Sequence, residues 1–510
     1  MVASGAISTL GAFLQADQAA VSGSGGGVVV LRRIVLAGCL TVLVAGCASY
    51  HPEPVSPIDN ASGLDSRTLG DQRLQKFIEV ELDRSGKADP PPAWDLSTLT
   101  LAAIYYHPDI AIANAKLASA EAGVITARQR PNPALSITNA FGQAVVAGAI
   151  PVGAAAMTVG PVVDFLIETF GKRENRTAQA QHLADSARWD LATAGWQVRT
   201  RVRTALLNLW AAQQRLVLTH RQLDLQEQLV GLLEQRLAVG AASSVDVMLV
   251  RVARAQITFS IRNLEQTEAA ARAQLATALG VPVRALDGVD LSLDAFRHPP
   301  PIPANPDTGK LRREALTKRT DVQASLQEYD AAQSALQLQI ANQYPNVTLS
   351  PGYNYDFGVN KYMVGVGADH LPIFNQNQGP IAQALANRQQ AAASFTALQA
   401  QIIGAIDQAA TAYRAATRSV TTGDALLADD ERRERQIASQ FRAGQVDRVT
   451  LVTAELGVAA TSVSRFDAVA QQRQAIGALE DALQQPLFDP GHWPVVPEQE
   501  SGLSHSEPSL

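Results

Sequence analysis

Residues 201–240 read RVRTALLNLW AAQQRLVLTH RQLDLQEQLV GLLEQRLAVG. Val202, Leu209, Leu216, Leu223, Val230 and Leu237 stand seven apart. An apolar heptad sustained that long specifies a helix that supercoils left-handedly on its neighbours. Ala205 and Ala212, three residues beyond their seam partners, let a second helix approach closely. From Lys172 to Val239 the helix covers 68 residues, and at about 1.5 Å per residue that is a rod of roughly 100 Å. After Gly240 the return helix carries Val250, Ile257, Leu264, Ala271 and Ala278, again at sevens, so both limbs of the hairpin share one seam.

The chain is written twice. Leu99, Ala103, Asp109 and Ala120 map to Leu311, Ala315, Asp321 and Ala332 at an offset of 212, and Pro131-Asn132 map to Pro345-Asn346 at 214. Farther on, Arg236-Leu237-Ala238-Val239-Gly240 matches Gln440-Phe441-Arg442-Ala443-Gly444 at 204. A tandem duplication with small insertions fits these offsets. The second long helix shows its seam in Phe395, Ile402 and Ala409, backed by Leu398, Ile406 and Tyr413.

Between helices, each copy holds an apolar stretch with the period of a strand. Arg130 and Asp164 bound 33 residues without a charge, but Gly142, Gly148, Pro151, Gly153, Gly160 and Pro161 interrupt any membrane helix there, and Leu135 and Ile137 alternate with Ser136 and Thr138. In the second copy Val347, Leu349, Tyr353, Tyr355 and Phe357 alternate with Thr348, Ser350, Gly352, Asn354 and Asp356. After a turn near Gly358, Tyr362, Val364 and Val366 alternate with Met363, Gly365 and Gly367. That is the pattern of a transmembrane barrel strand, although a soluble hairpin shows it too. Four strands cannot close a barrel, since the smallest single-chain barrels have about eight, so membrane-spanning strands here require several copies of the chain.

The 510 residues carry 42 Lys+Arg and 48 Asp+Glu, a net charge of −6, which leaves no basic field for nucleic acid. Aromatic residues are only 5%, as suits helices with small-residue seams. The eight histidines are scattered without ligand spacing, and no nucleophile elbow, phosphate loop or dinucleotide glycine pattern occurs, so neither catalysis, a metal nor a cofactor is expected. The two cysteines, Cys39 and Cys47, fall in one apolar stretch. Arg32-Arg33, the apolar run Ile34 to Val44, and Ala45-Gly46-Cys47 make a bacterial lipoprotein signal, in which Cys47 is acylated and becomes the first mature residue. No Asp follows Cys47 to retain the chain at the inner membrane, so the outer membrane is its expected destination. Residues Met1 to Val30 hold no Lys or Arg, which places the expected start near Val28 to Leu31.

A lipobox, a tandem duplication and two strands with a long helical hairpin per copy together resemble the TolC-like outer-membrane efflux factor family. Its marks here are the junctions Arg130-Pro131-Asn132-Pro133, Tyr344-Pro345-Asn346, Phe170-Gly171-Lys172-Arg173 and Leu371-Pro372-Ile373-Phe374-Asn375-Gln376-Asn377-Gln378-Gly379. The last is similar to the heavy-metal subgroup. The resemblance implies a mainly α fold with a small β part: a homotrimer in which tandem helical hairpins form an α-barrel through the periplasm, and three copies of four strands share a 12-stranded barrel in the outer membrane. It implies a passive exit duct whose partners are a periplasmic adaptor protein and an inner-membrane pump of the RND type.

At the tunnel tip the resemblance assigns adaptor docking to Val239, Gly240 and Ala241 in the first copy and to Ala443, Gly444 and Gln445 in the second. Glycine is also what any helix needs at its C-terminal cap, so Gly240 and Gly444 have a structural reading beside the functional one. The family gates its tip with aspartates six and nine residues beyond the second turn glycine, where this chain has Thr450 and Thr453. Asp246 holds the sixth position of the first copy, but Ser243 three residues earlier makes a helix cap an equal reading. Arg442 and Arg448 lie near the same level and are candidates to bridge to a neighbouring chain.

The expected organisation is a dispensable extension and signal over 1–46, an N-terminal periplasmic segment over 47–96, a first repeat over 97–280, a Pro-rich linker over 281–310, a second repeat over 311–488 and a flexible tail over 489–510. Two functions stay open: the exit duct, and a lipid-tethered periplasmic coiled-coil scaffold without a channel.

Overall fold

The computed structural model describes residues 50–82, 93–142, 156–299, 303, 306–356, 359–369 and 371–487. Cys47, the turn of the first strand pair and the C-terminal tail lie outside them. The chain divides into one unit ending at Ser62 and a second running from Gly63 to Leu510. Helix α1 (Pro57–Asp65), whose residues up to Ser62 belong to the first unit, begins with proline, whose missing N–H costs nothing at a helix start.

The second unit opens with α2 (Gln72–Glu81), α3 (Leu96–Tyr106) and α4 (Pro108–Arg128). Then come strands β1 (Ala134–Gly142) and β2 (Ala156–Ile167), and a helical hairpin of α5 (Lys172–Ala238) and α6 (Ser244–Leu279). A 3-10 turn at Val283–Leu286 and the short α7 (Asp294–Arg297) lead to α8 (Thr308–Lys318) and α9 (Thr320–Ala341). The same order repeats: β3 (Asn346–Asp356), β4 (Val359–Asp369), then a hairpin of α10 (Gln378–Arg442) and α11 (Arg448–Leu483). Within the segment read as a linker, Leu286, Leu293 and Phe296 are buried in the first repeat's core.

Each hairpin packs on itself, and α11 lies against α5, so the long helices run in the order α6, α5, α11, α10. The duplication is visible in side-chain contacts. Gln213 Nε2 donates to Glu268 Oε1 at 3.1 Å, and at the equivalent pair 204 residues on the roles are exchanged, Gln472 Nε2 donating to Thr417 Oγ1 at 3.1 Å. The heptad seam holds only in part. Val202, Leu209 and Val230 are buried, whereas Leu237 is 38% exposed, and Leu225 and Leu229 join the buried face instead. A helix of 3.6 residues per turn drifts by about 20° per heptad, so over this length the buried face moves off a strict seven-residue stripe.

The repeats are joined by a buried charge cluster. Arg203 on α5 lies against Glu480 on α11, with Nε 2.8 Å from Oε2, and Arg199 Nη1 stands 3.8 Å from the same oxygen. Burial pushes the Arg203 guanidinium below its ordinary value, and Glu480 opposes that shift. Gly477, one turn before Glu480, makes the approach possible, because a Cβ there would collide with the Arg203 guanidinium.

The four strands form one antiparallel sheet in the order β1-β2-β3-β4, so the second strand of one copy pairs with the first strand of the other. The outer edges of β1 and β4 pair with no described strand. On β4, Tyr362, Val364 and Val366 are 85%, 72% and 74% exposed. Among the described residues no helix is long and apolar enough to cross a membrane.

Candidate functional site at the hairpin tips

Both hairpins turn by one mechanism. At the end of α5, Gly240 takes φ +78° and Ala241 N donates to Arg236 O at 2.8 Å. At the end of α10, Gly444 takes φ +71° and Gln445 N donates to Gln440 O at 2.9 Å. Each glycine is left-handed as the cap requires, and no atom lies where its Cβ would be, so backbone conformation alone accounts for its presence. The turn offers an apolar tip: Val239 is 79% exposed, and Val245, Met248 and Leu249 on the first turns of α6 are exposed beside it. Ala241, Ala443 and Gln445 are exposed as well.

The capping reading of Asp246 describes its geometry. Asp246 Oδ2 accepts from Ser243 N at 3.1 Å and from Ser243 Oγ at 2.8 Å, while Ser243 Oγ accepts from Asp246 N at 3.1 Å. These bonds from Ser243 hold the Asp246 carboxyl below its usual range. The equivalent of Ser243 in the second copy is Asp447, which sequence reasoning passed over. Its Oδ1 accepts from Thr450 N at 2.8 Å and from Thr450 Oγ1 at 2.9 Å, closing the start of α11. Its other oxygen pairs with Arg236 in the last turn of α5. The Arg236 guanidinium first, and the Thr450 bonds after it, depress the Asp447 carboxyl to about 2. One carboxylate thus caps a helix and ties the two tips together.

Arg448, expected to reach a neighbouring chain, has partners within its own: Gln228 Oε1 at 3.3 Å, Glu455 Oε1 at 3.9 Å, and the ring of Phe441, 5.9 Å from its guanidinium carbon. α11 lies on α5, which brings Gln228 to it. Arg442 is exposed and has no partner of this kind among the described residues. Thr453 bonds back to Val449 O at 2.8 Å. The N-cap position of Asp447 is legible from Thr450 three residues later. Its pairing with Arg236, 211 residues away, has no local sign. Among the described residues no group of three or more His, Cys, Asp or Glu is placed to hold a metal.

Residues 102–281 match the outer membrane efflux protein family. The cobalt-zinc-cadmium resistance protein CzcC of Cupriavidus metallidurans is 27% identical over 278 residues, 54% of this chain and 62% of that protein. The pyoverdine export outer membrane protein OpmQ of Pseudomonas aeruginosa is 28% identical over 43% of this chain and 47% of its own length. The chain thus spans less than two thirds of the length of each of these curated relatives. The structure of the outer-membrane channel OprN covers 86% of this chain and 98% of its own, with a TM-score of 0.61 at 19% identity. The fold is that of an outer-membrane channel.

Proposed function

We propose that this chain, whose residues 102–281 match the outer membrane efflux protein family, is the passive exit duct of a tripartite efflux system. The observation that carries this reading is the single sheet β1-β2-β3-β4 with both edges unpaired among the described residues, joined to helices of 67 and 65 residues. Unpaired edges seek strands, and a sheet with one exposed apolar face satisfies them in a membrane only by closing a barrel. Three copies close it with 12 strands, and the helical hairpins continue the tunnel toward the inner membrane.

In this reading Cys47 carries the lipid that tethers the chain to the outer membrane. Val239, Gly240, Ala241, Ala443, Gly444 and Gln445 meet a periplasmic adaptor, which joins the duct to a pump of the RND type. The apolar, exposed Val239 and its neighbours on α6 support that docking. The Arg236–Asp447 pair holds each protomer's two tips together at the periplasmic entrance, with Arg448 beside it and Asp246 and Arg442 on the rim. An exposed pair is individually weak, about 0–1 kcal/mol, which suits a constraint that a docking partner must release. No bond is made or broken by the duct, and cargo is selected by the pump. The two curated relatives are named for different substances, cobalt-zinc-cadmium resistance in one and pyoverdine export in the other, in keeping with a duct that does not select.

The test is extraction from the outer-membrane fraction in detergent. A trimer whose gel mobility changes on boiling, and which conducts ions in a planar bilayer, is the expected result. A monomer released to the soluble periplasm by Cys47→Ser overturns the duct and supports the scaffold.

A further inference from the structure

The two strand-to-helix junctions are unequal within one chain. After β2, Phe170 stacks on Tyr344 of the other copy's helix-to-strand junction, with ring centroids 4.2 Å apart. Around that contact Thr169 Oγ1 donates to Pro345 O at 2.6 Å, and Lys172 Nζ donates to Tyr344 O at 2.6 Å and to Asn346 Oδ1 at 2.7 Å. After β4, the corresponding loop carries Phe374, which is 97% exposed. The residue corresponding to Tyr344 in the first copy is Arg130, exposed and without a hydrogen bond or ion pair among the described residues.

The duplication says where the missing contact lies. Pairing of Ala134 with Asp164 in one copy matches Thr348 with Gly367 in the other, so strand positions 134 and 348 correspond, as do 164 and 367. Leu166 lies opposite Thr348 across the seam between copies. Carried over by the same correspondence, Asp369 lies opposite Ala134 of a neighbouring chain. Tyr344 stands four residues before Thr348 and Phe170 four after Leu166; Arg130 stands four before Ala134 and Phe374 five after Asp369. The aromatic and its platform therefore flank the seam between chains as their counterparts flank the seam within one.

We infer that Phe374 stacks on the guanidinium of Arg130 of the adjacent copy, a cation–π clamp at the foot of the barrel. The inference rests on the ring of copies set out under the proposed function and specifies its contact. Gln378, exposed and the first residue of α10 as Lys172 is of α5, accepts from Gln376 N through its Oε1 and supplies its Nε2 to the neighbour's Arg130 carbonyl and Asn132 side chain. Lipid is the other occupant open to an exposed aromatic beside a membrane strand, but the duplication sets Phe374 and Arg130 on either side of one strand seam. The geometry within the chain already pairs an aromatic with this junction.

The test uses the full chain with Arg130→Cys and Phe374→Cys, treated in outer-membrane vesicles with a short thiol-reactive bifunctional reagent and run on a denaturing gel. A ladder to covalent dimer and trimer is expected, absent from either single variant. Phe170→Cys with Tyr344→Cys is the control: it should react within one chain and give no ladder. Native mass of the same preparation is measured in parallel. A trimer without the 130–374 ladder, or with position 374 labelled only by a lipid-soluble reagent, overturns this contact and leaves the duct standing. A monomer overturns both.

Discussion

Arg203 of the first repeat and Glu480 of the second, with side chains 7% and 2% exposed, face one another 2.8 Å apart in the interior. The contact is a close approach of opposite charges rather than an aligned hydrogen bond, since Glu480 Oε2 has no hydrogen-bond donor. It favours one register of α11 on α5, because a charge buried so deeply is costly without a partner of opposite sign.

Removing one member of this pair should be far worse than removing both. Glu480→Ala leaves a buried guanidinium uncompensated and is expected to cost about 3–5 kcal/mol, whereas Arg203→Met with Glu480→Leu should recover most of the loss. Gly477→Ala should also destabilise: alanine gains about 1 kcal/mol of helix propensity, but its Cβ pushes Arg203 off Glu480. Thermal unfolding of the four proteins in detergent checks the order, and a Gly477→Ala protein more stable than wild type would contradict it.

The tie between Arg236 and Asp447 should be insensitive to pH until strongly acid conditions. Its carboxyl is depressed to about 2, so the stabilisation is complete above the ordinary carboxylate range of about 4 and is lost as pH falls toward 2. Conductance in planar bilayers should be flat from neutral pH to about pH 4 and rise below it. Asp447→Asn should show the higher conductance already at neutral pH.

His107 should make stability fall on mild acidification. Its Nδ1 accepts from Asp109 N at 3.2 Å and its Nε2 stands 3.2 Å from Arg201 Nη1, while the Asp109 carboxylate is 3.8 Å from Nδ1. Burial first, and Arg201 after it, lower the imidazole from its ordinary value against the pull of Asp109. The folded chain keeps it neutral while the unfolded chain takes up a proton below about pH 6.5, so the stabilisation is full above that pH and declines below it. The melting temperature should drop between pH 7.5 and 5.5, and less in His107→Asn, which retains the cap acceptor.

Gln484 should prove indispensable in spite of its strained backbone. It occupies, at φ +48°, the position that Gly280 fills in the first copy, and its Oε1 accepts from Thr320 N at 3.0 Å and Oγ1 at 2.9 Å. The first copy has Pro108 in place of Thr320 and so has no N–H to satisfy. Gln484→Ala should lose about 1–3 kcal/mol by keeping the strain and orphaning that donor. Thr320→Pro with Gln484→Gly, the first copy's solution, should restore stability in a denaturant titration.

At the tips, Ala241→Trp and Ala443→Trp should leave the trimer folded on a gel yet abolish substrate tolerance of cells, since both positions are exposed and touch no core seam. Normal tolerance at normal protein levels would leave Gly240 and Gly444 as caps alone.

What the sequence determined by itself is whatever repeats or lies close along the chain. The heptads of residues 202–237 announced the long helices, Ser243 and Asp246 announced a capping box, the glycines their turns, and the alternation after Asn346 its strand pair, because each is a period or a spacing within a few residues. The drift of the buried face to Leu225 and Leu229 was decided by helix geometry accumulated over many turns. Tertiary structure alone decided the sheet order, the burial of Arg203 against Glu480 and the tie of Arg236 to Asp447. Those partners lie on different copies of the repeat, more than two hundred residues apart. No local pattern encodes which of several similar helices lies beside another: packing decides that, and the charges are matched only once it has.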